Sequence, residues 1–178
     1  MIIGVAGRNG AGKGEVIKLL VARGYRDHSL SDVIRYVLTE RDLPHERDLM
    51  TRTGNELRTE GGSSVLADRL LERMPPGKDY AVDSVRHPAE VKALGAAGQG
   101  FKLLWVHASE AVRFERMLAR KREGDATTLE AFREHERREE KNADPSAQQL
   151  DAVEALADYV VQNDGDIEAL ERALDAIV

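Results

Sequence analysis

Gly7, Gly12 and Lys13 stand in the spacing G-x-x-x-x-G-K within the run M-I-I-G-V-A-G-R-N-G-A-G-K-G. That spacing suits capture of a phosphate chain. Glycines let the backbone curl until several N–H groups point at one anion, and a lysine at the end of the turn reaches the outer phosphates. Arg8, Asn9, Gly10 and Ala11 complete the loop, with Gly14 and Glu15 directly after it. Before the loop, Ile2, Ile3, Val5 and Ala6 read as a short buried strand. After it, Lys13, Val16, Leu19, Leu20 and Val21 have helical spacing. The helix N-terminus adds its partial positive charge to the same anion site. Glycine-rich strand-to-helix turns also serve packing alone, but strand, spacing, lysine and helix together point to a nucleotide phosphate site.

Two positions beside the lysine depart from the common form of this loop. Gly14 supplies no hydroxyl to hold Mg²⁺ directly. Glu15 repels bound phosphate unless its side chain turns outward on the first helical turn, where a carboxylate suits the helix dipole. Further along, D-S-V-R places Asp83 at a strand end with Arg86 three residues later. An acid there can hold Mg²⁺ through water, and an arginine can fork onto a phosphate. The structural alternative is that Asp83 caps a helix and pairs with Arg86. His87 is a lone loop histidine, a type more often structural or solvated than catalytic.

The elements that must position these residues alternate between strand and helix. Gly24 caps the first helix and residues 25–28 form a second strand. Ser29 is the expected N-cap of a helix with Leu30, Val33, Ile34 and Val37 inward. Pro44 is expected to start the next helix, through Leu49, Met50 and Leu57. Gly61-Gly62 breaks it, and Val65, Leu66, Leu70 and Leu71 mark another, stopped by Pro75-Pro76-Gly77. A strand over 80–82, a helix from Pro88 and a strand over 101–107 follow. Ser109 then caps a helix with Val112, Met117 and Leu118 inward, and Thr127-Thr-Leu-Glu130 reads as a capping box. Past Pro145 come a helix through Leu150, Val153 and Leu156, a strand over 159–161 and an amphipathic helix over 167–178. The pattern predicts an α/β fold, a parallel sheet with helices on both faces, and places ligands at the carboxyl ends of the strands.

Composition narrows the functional classes. The 178 residues are 42% hydrophobic and 33% charged, which suits one domain with a proper core. With no cysteine, disulfide and thiolate chemistry are excluded. No apolar run approaches membrane-spanning length and no secretory signal pattern stands at the N-terminus, so the expected partners include no membrane and the expected location is the cytoplasm. From Asn142 onward, nine acids face only Arg172, which leaves that segment at −8 and, with a net charge of −6, the remainder at +2. An acidic tail argues against broad nucleic-acid binding and is neutral towards a local phosphate site.

The loop G-R-N-G-A-G-K-G resembles that of adenylate kinases and related nucleoside monophosphate kinases, which usually carry Thr where this chain has Glu15. The resemblance extends further. S-L-S-D-V-I-R (29–35) looks like the segment ending in an acceptor-binding arginine, which maps to Arg35, with Ser31 and Asp32 beside it. D-S-V-R looks like the segment that supplies an acid and a second acceptor-phosphate arginine, Asp83 and Arg86 here. Arg58 lies where acceptor-binding helices would sit. The structural alternative for Arg35 and Arg58 is a solvated helix face, and the Arg58 match is the weaker of the two. Residues 113–141 resemble the lid such kinases close over ATP, with Arg116, Arg120, Lys121, Arg122, Arg133, Arg137 and Arg138. Glutamates 134, 136, 139 and 140 interleave with them and could pair the lid to itself. Arg116 and Arg120, close after the longest strand, are the expected catalytic pair.

The end of the chain, A-D-Y-V-V-Q-N-D-G-D-I-E-A-L, is similar to dephospho-coenzyme A kinases, where an N-x-G turn borders the adenine pocket. That would put Asn163 near a base, although Asn-Asp-Gly is also an ordinary turn. The whole chain most resembles a group of archaeal and bacterial adenylate-kinase-related P-loop proteins.

That resemblance implies a single P-loop kinase-like domain over 1–178 with sheet order 2-3-1-4-5, an acceptor insertion at about 30–75 and the lid at about 113–141. It implies ATP and Mg²⁺, a small-molecule nucleotide acceptor, and a monomer or homodimer. The alternatives are a dephospho-coenzyme A kinase, with Asp32 as base, and a nucleotide-binding regulator with little transferase activity.

Overall fold

The computed structural model describes residues 1–120, 126–140, 144 and 147–178. Lys121 and Arg122 of the expected lid and the Pro145 boundary lie outside the described residues, as do the side chains of Arg138, Glu139 and Glu140.

Five strands pair in parallel in the order β2-β3-β1-β4-β5: β1 (Ile2–Ala6), β2 (Arg26–Ser29), β3 (Tyr80–Asp83), β4 (Phe101–His107) and β5 (Tyr159–Gln162). Every residue of β1 is buried because the sheet is covered on both sides. Ile2 and Ala6 face one cluster, with Tyr80, Val82, Leu103 and Trp105. It is filled by α2 (Leu30–Glu40), α3 (Arg47–Gly61), α4 (Val65–Leu71), α5 (Pro88–Ala96) and α8 (Leu150–Glu154). Ile3 and Val5 face the other, packed by α1 (Lys13–Ala22) and α9 (Ile167–Asp175). The period of two along each strand thus assigns residues to opposite layers. The remaining helices, α6 (Glu110–Arg120) and α7 (Leu129–Glu140), share a small core of Met117, Ala126 and Phe132.

Three local expectations shift. Pro44 does not start α3, which begins at Arg47 after an extended Glu46 (φ −69°, ψ 147°), while the His45 ring bonds the Thr39 hydroxyl at 3.0 Å. The cap of α7 is Thr128, whose hydroxyl accepts from Ala131 N–H at 3.2 Å, one residue later than the Thr127–Glu130 box. Leu118 points outward and the buried stripe of α6 is Arg113 and Met117, because Arg113 finds a buried carboxylate partner. Ser29 ends β2 and caps α2 as expected, accepting from Ser31 N–H. No helix among the described residues is long and apolar enough to cross a membrane.

Candidate functional site

The loop between β1 and α1 sits at the carboxyl edge of the sheet, against β4 and α6. A Cβ on Gly7 (φ +147°) would lie 2.5 Å from the Val106 carbonyl oxygen, and one on Gly10 (φ +79°) would lie 2.5 Å from that of Arg113. Only glycine tolerates both that φ and that closeness of backbone. Lys13 Nζ lies across the loop and donates to the carbonyls of Gly7 (2.9 Å) and Arg8 (3.1 Å). Glu15 is half-exposed and paired with Lys18 at 2.8 Å on the outer face of α1, so its carboxylate is directed into solvent.

The other loop residues divide between ligand side and scaffold. Asn9 lines a cleft and accepts from Arg120 Nη2 at 3.1 Å. Arg116 approaches the Ala11 carbonyl at 3.5 Å. Both expected lid arginines therefore stand against the phosphate loop. Arg8 turns away, to Asp151 (3.1 Å) and Glu154 (3.9 Å) on α8, so part of the acidic C-terminal segment is spent on the loop. Asn163, expected beside a base, braces the loop. It is buried, and its amide donates to the Ala11 carbonyl at 2.8 Å. The neighbouring Asp164 accepts from Ser109 N–H at 2.7 Å, and that bond holds its carboxyl below the usual range.

Beyond the loop opens a cleft of about 950 Å³. Ser31 and Arg35 from α2, Arg58 from α3, Arg86 from the β3–α5 loop and Arg120 from α6 all line it. Arg35 is nearly half-exposed and pairs with Asp32 at 2.6 Å. Arg86 donates to Gln148 Oε1 at 2.9 Å, and its carbonyl accepts from Gln149 N–H. Ser84, in the same loop, has φ +66°, a conformation that costs a non-glycine residue energy and clusters at ligand sites. Arg58 is not on a solvated face. It is 4% exposed and its fork closes on Glu90.

Asp83 ends β3 in register with Val5 of β1. Its Oδ1 is buried and is the one such side-chain atom without a hydrogen-bond partner among the described residues. An orphan carboxylate oxygen is costly unless a cation or water fills the gap, so Asp83 fits a hydrated Mg²⁺. It does not cap α5: His87 Nδ1 accepts from Ala89 N–H, and Glu90 accepts from His87 N–H. No cluster of three metal-ligating side chains occurs among the described residues.

On α7, Arg133 reaches across to Glu110 at 2.6 Å and Arg137 pairs with Glu134 at 2.7 Å. The Arg133 bond keeps the Glu110 carboxyl below its ordinary range. Arg113, overlooked as an individual residue, is buried against Glu136 and also donates to the carbonyls of Ala108 and Asn9. No spacing announced it, since it occupies an apolar stripe. Glu90 was also missed, although Glu three residues after a helix cap is a readable signal.

A glycine loop carrying its lysine, on a parallel 2-3-1-4-5 sheet, defines a P-loop kinase-like domain. The AAA domain family matches residues 3–144, and the chain belongs to it. It also belongs to the UPF0200 family. The UPF0200 protein of Aeropyrum pernix is 32% identical over 174 residues, 96% of this chain and 88% of that one. Among crystal structures, TT1252 from Thermus thermophilus aligns with TM-score 0.64 and 22% identity, over 99% of this chain and 95% of that one. Shikimate kinase from Bacteroides thetaiotaomicron aligns with TM-score 0.58 and 15% identity, over 99% and 97%. Likeness at those identities shows the fold.

Proposed function

We propose that this protein transfers the γ-phosphoryl group of ATP to the phosphate of a small nucleotide, as a nucleoside or deoxynucleoside monophosphate kinase of the adenylate-kinase-related type. The observation that carries the reading is the cleft beside the loop, where Arg35, Arg86 and Arg120 converge from three separate elements. An acceptor oxygen attacks the γ-phosphorus, the bond to the β–γ bridging oxygen breaks, and ADP leaves. Lys13 and the loop amides hold the donor phosphates. Arg35 and Arg86 grip the acceptor phosphate by charge-assisted bonds, and Arg116 and Arg120 offset charge on the group in flight. Asp83 would hold Mg²⁺ through water, and the ion when bound neutralises charge on the β- and γ-phosphates. A phosphate acceptor is already ionised near neutral pH, so no base is required. In this reading residues 30–75 receive the acceptor and 113–141 close over ATP.

Two features weigh against the alternatives. Dephospho-coenzyme A kinase needs a base at the acceptor hydroxyl, and Asp32 is engaged by Arg35 at 2.6 Å. A non-catalytic regulator is favoured by a carboxylate facing the phosphates, whereas Glu15 pairs outward with Lys18. The test is an assay with ATP and Mg²⁺ against AMP, GMP, CMP, UMP, dTMP and dephospho-coenzyme A. ADP together with a nucleoside diphosphate is the expected product pair. Phosphorylation of dephospho-coenzyme A alone, or of nothing, removes the reading.

A further inference from the structure

Glu90 on α5 is fully buried and its carboxylate accepts four hydrogen bonds. Oε1 takes Arg58 Nε (3.2 Å) and Nη2 (2.9 Å) from α3. Oε2 takes the backbone N–H groups of Arg86 (2.8 Å) and His87 (3.0 Å). Helix capping alone asks for the second oxygen and not for a buried arginine on the first. Arg58 in turn does little for its own helix end: it is 4% exposed, and among the described residues its further bond is a long one, 3.4 Å, to Asn55. The two oxygens therefore tie the α3 wall of the cleft to the loop that carries Arg86.

From this geometry we infer that Arg58 and Glu90 are a positioning pair, which sets the backbone of Arg86 according to where α3 lies and so governs the grip on a phosphate-monoester acceptor. The inference rests on the proposed function. The carboxylate is an inelastic link, since a buried charge pair has one good geometry and a poor alternative. A shift of α3 as an acceptor enters or leaves the cleft then moves the Arg86 N–H with it. The loop itself is poised for such control. Ser84 at φ +66° is strained, and the Arg86 guanidinium and carbonyl are already fixed to Gln148 and Gln149 on the far side. Glu90 is the anchor that faces the acceptor wall.

The experiment compares the wild type, Arg86→Ala, Glu90→Gln and the double variant Arg58→Met/Glu90→Gln, with ATP as donor and AMP, GMP, CMP, UMP and dTMP as acceptors. The substituted amide retains an oxygen for the two backbone N–H groups, and the double variant leaves no unpaired buried charge, so it should fold even where the single one does not. The expected result is a rise of about tenfold in acceptor KM for both chains that carry Glu90→Gln, with ATP KM changed by less than about twofold. Hydrogen exchange should also accelerate at the Arg86 and His87 amides, a readout that needs no turnover.

Added to Arg86→Ala, the double substitution should raise acceptor KM little further, because it acts through Arg86. A full additional loss would make Arg58 a direct contact and overturn the inference. Wild-type acceptor KM and wild-type exchange in a folded Glu90→Gln chain, single or double, overturn it as well. If neither of those chains folds, Arg58→Lys takes their place, and an unchanged acceptor KM there is equally fatal. An Arg86→Ala protein with normal acceptor KM defeats the proposed function instead, so the two failures can be told apart.

Discussion

The phosphate loop and the cleft beside it meet at Asn9 and are built from opposite materials. The loop is backbone geometry. Its glycines abut carbonyl oxygens of Val106 and Arg113, and Asn163 braces the Ala11 carbonyl from behind. The cleft is side-chain geometry, with arginines at 35, 58, 86 and 120 drawn from four elements. A backbone site depends on a short run of consecutive residues and tolerates little change. A side-chain site depends on how helices pack, and each of its members can be lost singly.

That contrast orders the mutational effects. Lys13→Ala should take ATP binding below calorimetric detection while leaving the circular dichroism spectrum intact, because Arg8, the other cation of the loop, is turned towards the acids of α8. Retained ATP affinity would make the loop a packing turn and erase the comparison. Arg86→Ala should cost about 1.5–3 kcal/mol, or roughly 10–150-fold, in acceptor kcat/KM with ATP binding unchanged. A loss confined to ATP would move Arg86 to the donor side.

Smaller effects sharpen the boundary. Asn163→Ala leaves the Ala11 carbonyl with the long 3.5 Å contact from Arg116 and should lower stability by about 1–3 kcal/mol in urea unfolding. Weakened ATP binding with unchanged stability would restore the base contact that the tail suggested. Glu15→Thr should alter ATP affinity by less than about twofold, since the carboxylate pairs outward with Lys18 and solvent screens it. A marked gain would mean that it opposes the phosphates after all, and that the loop is not optimised for its ligand.

Much of this was readable before folding. The alternation of apolar runs with helical spacing fits the five strands, and the residues of β1 and its glycine turn spell out the P-loop within one short stretch. The residues whose partners the sequence did not announce share a cause. Arg58 has the composition of a solvated helix position, yet α3 turns it onto Glu90, 32 positions further along the chain. Asn163 sits in an ordinary turn sequence, yet β5 delivers it to the underside of the phosphate loop. Arg8 belongs to the loop motif and is claimed by acids on α8.

The sequence by itself determined whatever depends on neighbours in the chain: the strand–loop–helix unit, the Ser29 cap, and the class of element at nearly every position. Only the tertiary structure decided which charges are buried in pairs and which face the cleft. A charged side chain carries the same local signal in both cases. The difference lies in whether a distant partner arrives within hydrogen-bond reach, as Glu90 does for Arg58 and Glu136 for Arg113, and no periodicity records that.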